Sequence, residues 1–505
     1  HTLSLHDALP ISGEGTAYTH LTGIHSMDKF QIIALTPPGL TDPAIAIAAG
    51  RADAIGVFDL ALVENDKAAG DGLEKLKRHA RAPFGVRFDL RNHALLSAID
   101  PLLPEQAGYV ILAGADSEGL ADWVKTFRDK GIVVLWECRS ADHGCYGTEA
   151  GVDGLIAKGN EAGGWVGQDT TFILLQRLLK DTSVPVWAQG GIGLNTAAGC
   201  YAAGAAGVVV DAQLLLARES RISDSAKGVI ARMDGSETLC LGEELKSPCR
   251  LFAPRGSLAQ ETLQTTLSDI CCDEESHQAR IEAWHRAIDS QIGWDSEERN
   301  VWFVGQDVGW AKGLADRFQT VGGILEGIRG AVERNLAAVG HQPPFKEDSP
   351  LAQSHGTRYP IVQGPMARVS DRSAFALEVA KAGALPFMAV GYMGAESLES
   401  VLEETRHLLE ERPWGVGVLG FLPSERRKAQ LEVIRRFSPP FAIIAGGRPD
   451  QVPPMEREGI KTYVHIPSPG LLEMFLKAGA RRFIFEGREC GGHVGPRSSF
   501  VLWES

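Results

Sequence analysis

The chain has 505 residues, enough for two or three domains that each bury a core of their own. Its 50 Lys and Arg against 64 Asp and Glu leave a net charge of −14, which argues against a nucleic-acid footprint or a basic membrane-binding face and favours small molecules or carried acyl groups as partners. A hydrophobic content of 44% is ordinary for globular protein, no apolar run nears the roughly 20 residues that cross a bilayer, and eight cysteines without a paired CxxC framework read as free thiols of a reducing, cytoplasmic setting.

The first methionine is Met27, and the HTLSLHDALPISGEG that opens the chain lacks the basic start and long apolar core of a signal peptide. Residues 1–27 are therefore read as a non-native or disordered leader. Short Val/Ile/Leu-rich runs then recur at FQIIALT, AIGVFDL, FGVRFDL, YVILAG, IVVLWEC, GLIAKG, VPVWAQ and GVVVD, eight strands in all. Continuous apolar runs suit a parallel sheet buried on both faces, and amphipathic stretches such as Glu118 to Lys130 suit crossover helices. Eight such units predict an α/β fold of the (β/α)8 TIM-barrel type over 28–220, with an open doubly wound sheet as the alternative. The polar, partly helical stretch 221–345, with vicinal Cys271 and Cys272 and a Trp-rich segment near Trp302 and Trp310, reads as an extension wrapping that barrel and ending in a helix over Gly322 to Val339. GHQPPFKEDSP (Gly340 to Pro350) reads as linker sequence by its prolines and charges, and the linker is placed at 346–356.

The remainder, 357–505, is a second copy. Gly131 to Gly167 runs parallel to Gly459 to Gly495 without a gap at an offset of 328 residues, and FGVRFDL and YVILAGAD pair with WGVGVLGF and FAIIAGGR further on. The chain is thus a tandem repeat whose second barrel lacks strands seven and eight, and the natural protein is expected to continue past Ser505.

Three motifs carry chemistry. In the first copy, SVPVWAQGGIG places Gly190, Gly191 and Gly193 after the seventh strand, where close backbone amides can cradle a phosphate; the plainer alternative is a tight turn alone. In the second copy, YPIVQGPMARVSD sets Gln-Gly-Pro-Met at the end of the first strand, where a loop can lie against a flat ring. FEGRECGGHVGPRSS sets His493 just past strand six, on the face of a barrel where a histidine can serve as acid or base.

QGPM at Gln363 to Met366, EGRECGGHVG at Glu486 to Gly495, and PVWAQGGIG with GAAGVVVDAQLLLARES at Pro185 to Ser220 resemble the nitronate monooxygenase (2-nitropropane dioxygenase) family of FMN-dependent barrels, which includes flavin enoyl-acyl carrier protein reductases of fatty acid and polyketide synthases. The resemblance implies that Gln363, Gly364, Pro365 and Met366 lie along the isoalloxazine of FMN and that His493 is the active-site acid or base. It implies further that Glu489, Gly491 and Gly492 shape the histidine's loop. Gly190, Gly191 and Gly193 match the phosphate-binding turn, with Ala212 after strand eight beside it.

The first copy departs from the pattern. Trp165 stands at the position of His493, TPPG at Thr36 to Gly39 replaces QGPM, and Asp211 and Ala212 occupy positions where the family has Gly-Thr. Indole is no general base, and a carboxylate repels a phosphate dianion. The first copy is therefore expected to be degenerate. His143 and Cys145 lack further ligands and read as loop residues, and Cys490 as a small apolar one. No metal site is expected.

The expected function is that of an FMN-dependent, nitronate monooxygenase-like oxidoreductase within a larger multimodular protein. The alternative is an FMN-dependent enoyl-thioester reductase module of a polyketide or polyunsaturated fatty acid synthase, with NAD(P)H as donor and an acyl carrier protein or downstream synthase modules as partners. In that case the first barrel is a non-catalytic scaffold.

Overall fold

The computed structural model describes residues 30–505 apart from 64–65, 82, 115–117, 274, 297 and 493. Eight parallel strands close into a barrel: β1 (Gln31–Leu35), β2 (Ile55–Asp59), β3 (Phe84–Asp89), β4 (Ala107–Ala113), β5 (Val133–Cys138), β6 (Gly154–Lys158), β7 (Val186–Gln189) and β8 (Gly207–Val210), the last pairing with β1. Every one of the eight apolar runs forms a strand, and closure excludes the open doubly wound sheet.

Alternation along the strands builds two layers. Ile33, Leu35, Ile55, Val57, Ile111, Leu135, Ile156, Trp187 and Val209 fill the interior, while Ile32, Phe58, Val86, Leu112, Trp136, Leu155 and Val208 face the helices. Burial of each such large side chain contributes about 1.5–3 kcal/mol. Two steps along the same inward rows, at the C-terminal ends of the strands, the interior turns polar: Asp59, Arg87, Glu137, Lys158 and Gln189, all buried.

Between β8 and the helix Val321–His341 lies the extension. It contributes the strands Leu239–Leu241 and Cys249–Leu251, which pair antiparallel with each other and with Gly164–Trp165 in a small sheet over the barrel's C-terminal end. The helix Val321–His341, capped by Thr320 whose side chain accepts from the Gly323 amide, packs on the helices Ala44–Gly50 and Thr196–Ala203 and completes the outer ring.

The stretch 346–356 contains a helix, Pro350–His355. Ser349 caps it, Pro350 opens it and Gly356 closes it in the left-handed region at φ 72°. His355 is buried against Phe441, with Nε2 2.6 Å from the Tyr463 hydroxyl, so this helix closes the bottom of the second copy. The second copy is a six-stranded parallel sheet in sequential order: β9 (Val362–Gln363), β10 (Leu385–Ala389), β11 (Gly415–Leu419), β12 (Phe441–Ala445), β13 (Lys461–Ile466) and β14 (Phe483–Phe485). Together these are a TIM barrel followed by a second barrel truncated after six strands. No helix among the described residues is long and apolar enough to cross a membrane.

Candidate functional site

The polar layer at the mouth of the first barrel is a closed ion network. Arg87 on β3 donates to both oxygens of Asp59 (3.1 and 3.0 Å) and to Glu137 (3.0 and 3.3 Å), and Lys158 on β6 donates to Glu137 at 3.0 Å. Burial works against the charge of Glu137, but Arg87 and then Lys158 outweigh it and hold the carboxyl at about 2. Two cations balance two anions, which is what buried charge requires.

Trp165 lies in the lid strand over this network. Its ring packs 4.2 Å from the His285 ring and edge-on to Phe303, with Arg91 over its face at 5.2 Å. Trp294 donates to the carbonyl of Pro38 at 2.9 Å and fixes the TPPG loop. The cavity left at the mouth is about 30 Å³, lined among others by Thr36, Arg87, Lys158, Trp165, Asp211 and Phe303. That is room for about one water, whereas cofactor sites enclose about 300–1,000 Å³.

The glycine turn after β7 is also occupied by the protein itself. Gly190 and Gly191 have φ of 104° and 67°, the left-handed conformation that lets successive amides turn outward. The Gly191 amide donates to Asp307 Oδ2 at 3.1 Å and the Gly193 amide to Thr196 Oγ1 at 2.8 Å. The next three amides, of Leu194, Asn195 and Thr196, donate to the Glu504 carboxylate at 2.7, 2.8 and 2.9 Å. Gln213 bridges Asp307 to the carbonyl of Ile192, and Asp211 accepts from Gln189 at 2.9 Å, with Ala212 buried behind it. Burial drives the Asp307 carboxyl well above its ordinary range, and Asp211 nearby adds to the rise. This arrangement does not fit the phosphate of FMN: the amides are taken, and Asp211 and Asp307 face the place a dianion would need.

The second copy differs. Gln363 spans to β10, with Oε1 3.3 Å from the Phe387 amide, and Pro365 lies over Gly417 of β11, where a Cβ would come within 2.3 Å of it. Gly364 and Met366 are exposed, and a Cβ at Gly364, Gly491 or Gly492 would meet nothing within 4 Å among the described residues. Glu489 accepts from the Ser499 amide (3.1 and 2.9 Å) and hydroxyl (2.7 Å), tying down the loop that carries the motif. Gln363 to Met366 thus form an open ledge at the C-terminal end of β9, with room for a flat ring against it. His493 lies outside the described residues.

One pair was not singled out from the sequence. His465 near the end of β13 has Nδ1 2.8 Å from Glu486 Oε2, just after β14. At the offset of 328 these are the positions of Glu137 and Lys158, so both copies bring a carboxylate and a nitrogen together across strands five and six, with the acid on opposite strands. The repeat offset was the signal that could have found it.

The nitronate monooxygenase family model matches residues 19–250 and 348–502, one segment on each copy. The chain belongs to the nitronate monooxygenase family. Over 214 residues it is 28% identical to a (3aS,4S,5R,7aS)-5-hydroxy-7a-methyl-1-oxo-octahydro-1H-indene-4-carboxyl-CoA dehydrogenase of Rhodococcus jostii, covering 42% of this chain and 58% of that protein. It is 29% identical over 186 residues to the Mycobacterium tuberculosis enzyme of the same name, covering 36% and 51%. The chain thus spans just over half the length of these curated relatives. Among solved structures, FabK from Thermotoga maritima superposes with a TM-score of 0.51 at 22% identity, covering 64% of this chain and 97% of that one, a likeness of fold.

Proposed function

We propose that this member of an oxidoreductase family is FMN-dependent, with the chemistry in the second copy and the first copy a scaffold. The contrast between the two copies carries the reading: about 30 Å³ beneath Trp165 in the first, and an open ledge of Gln363 to Met366 in the second. Bound flavin supplies the electron transfer. Gln363, Gly364, Pro365 and Met366 lie along its ring, while Glu489 holds the loop that presents His493. His493 takes the substrate's α-proton, or delivers one. His465, with Nδ1 2.8 Å from Glu486, is a second candidate to handle a proton at the same end of the sheet.

The substrate of the family reading is an alkyl nitronate, oxidised with oxygen. The names of the two curated relatives, both carboxyl-CoA dehydrogenases, favour a second reading in which an acyl thioester is the substrate; run as an enoyl reduction, that reading takes NAD(P)H as the donor. An acyl carrier protein or a neighbouring synthase module would then present the thioester. The test uses FMN-reconstituted protein in two assays: oxygen uptake with an alkyl nitronate, and NAD(P)H oxidation with an enoyl-CoA. Turnover in the first supports the nitronate reading, turnover in the second the thioester reading, and turnover in neither sinks both. In whichever assay responds, His493→Ala lowers kcat by about 10²–10⁴-fold at unchanged flavin content.

A further inference from the structure

The segment that follows β14 keeps contacts with its own copy, at His465–Glu486 and where Gly495 meets Pro467, and is held by the first copy as well. Its contacts fall on matching positions of the two repeats. Phe500 packs on Phe172, 328 residues earlier, with ring centroids 5.4 Å apart, and Arg488 hydrogen-bonds the side chain of Asn160, again 328 apart. Matching positions of the two repeats thus meet at this contact. The pattern extends to the neighbours. Ser498 donates to Glu161 at 2.9 Å, and Glu161 accepts from the Thr171 amide (3.1 Å) as its counterpart Glu489 accepts from Ser499. Arg497 pairs with Asp234 at 2.8 Å, and Gln306 donates to the carbonyl of Pro496 at 3.0 Å.

The helix Ser499–Glu504 then runs across the glycine turn. Phe500 is buried in the outer core of the first barrel. A Cβ on Gly191 would come within 2.9 Å of Phe500, and one on Gly193 within 2.4 Å of the Glu504 side chain. At the far end the Glu504 carboxylate closes on the three amides of Leu194, Asn195 and Thr196.

We propose that the glycine turn of the first copy is a docking socket for the second copy, in which the Glu504 carboxylate fills the anion position and the described residues of 486–498 are steadied by the first copy. The first copy has exchanged a ligand for a piece of the same chain. A turn that is open to small anions and a turn that is filled by Glu504 respond oppositely to phosphate, and this holds whatever reaction the second copy catalyses.

The test is hydrogen exchange by mass spectrometry on the 505-residue chain, comparing wild type, Glu504→Ala and the milder Glu504→Gln, each with and without inorganic phosphate. Loss of the carboxylate is expected to speed exchange about tenfold in peptides spanning 486–498 as well as at 194–196, with peptides of β2 to β4 unchanged. Faster exchange at 194–196 alone would reduce Glu504 to a helix cap and overturn the proposal. Millimolar phosphate is expected to restore protection at 194–196 in Glu504→Ala and to leave wild type unchanged; equal protection of wild type would mean an open anion site and would overturn it too. If Glu504→Ala loses protection in β2 to β4, the same criteria are read on Glu504→Gln.

Discussion

Glu137 and His285 set the acid response of the first copy through opposite chemistry. Glu137 is held at about 2 by Arg87 and Lys158 against the cost of its burial, so its contribution is present above 4.5 and is lost as pH falls from there toward 2. His285 is pushed down to about 3, by burial first and then by Arg91 and Arg139. The unfolded chain therefore binds the proton before the folded one does. The His285 contribution is full above about 6.5 and falls by up to about 1.4 kcal/mol per pH unit below it. His285→Gln, which can still bond Ser247 across the 2.8 Å now spanned by Nε2, should flatten the limb between pH 6.5 and 4.5 in urea titrations and leave the limb below it. Glu137→Gln strands Arg87 and Lys158 with one anion between them and should cost about 3–5 kcal/mol by chemical denaturation at pH 7. At Trp165 the expectation is the absence of gain: Trp165→His should produce no new turnover in either assay, because the space beneath it holds about 30 Å³. Turnover lost on His493→Ala and recovered by Trp165→His would refute the scaffold reading. The change from histidine to tryptophan at this position was legible from the repeat offset. The role of the tryptophan as a plug was not, since it depends on His285, Arg91 and Phe303, which come from three separate parts of the chain.

At the scale of elements, turn chemistry requires glycine in the first copy's turn whatever occupies it. Gly191 sits at φ 67° with Phe500 against it, so the conformation and the close approach both demand glycine. Gly191→Ala should cost about 1–3 kcal/mol for the backbone alone. Adding Phe500→Ala should relieve the contact and not the strain, so the double variant remains less stable than Phe500→Ala in thermal melts. The sequence identified this turn and its place after strand seven, because Gly-Gly after an apolar run is a local signal. It could not identify the occupants. Asp307 lies 116 residues from Gly191, and Glu504 lies 310 from Leu194, distances at which spacing carries no information. The helix Pro350–His355 shows the converse: a linker by composition, it carries local cap residues at both ends, and its burial against Tyr463 is what makes it part of the second copy.

For the whole molecule, one closed mouth and one open ledge predict at most one flavin per chain. The visible spectrum of the purified chain, with the released flavin quantified against protein, checks this; two equivalents would require the first mouth to open. The sequence by itself determined the barrel, the repeat and the family, because apolar runs, their order and the spacing of glycine motifs are properties of neighbours in the chain. It also marked where the first copy departs, at Thr36 to Gly39, Trp165 and Asp211. Only the tertiary structure decided what those departures do. The Asp307 carboxyl and the Glu504 carboxylate occupy the turn only when folding brings them to the amides of 191 and 194–196. The His465–Glu486 pair becomes a unit only when β13 and β14 lie side by side. Hydrogen bonds and ion pairs act over a few ångströms of space, and for residues hundreds of positions apart only the folded chain fixes that distance.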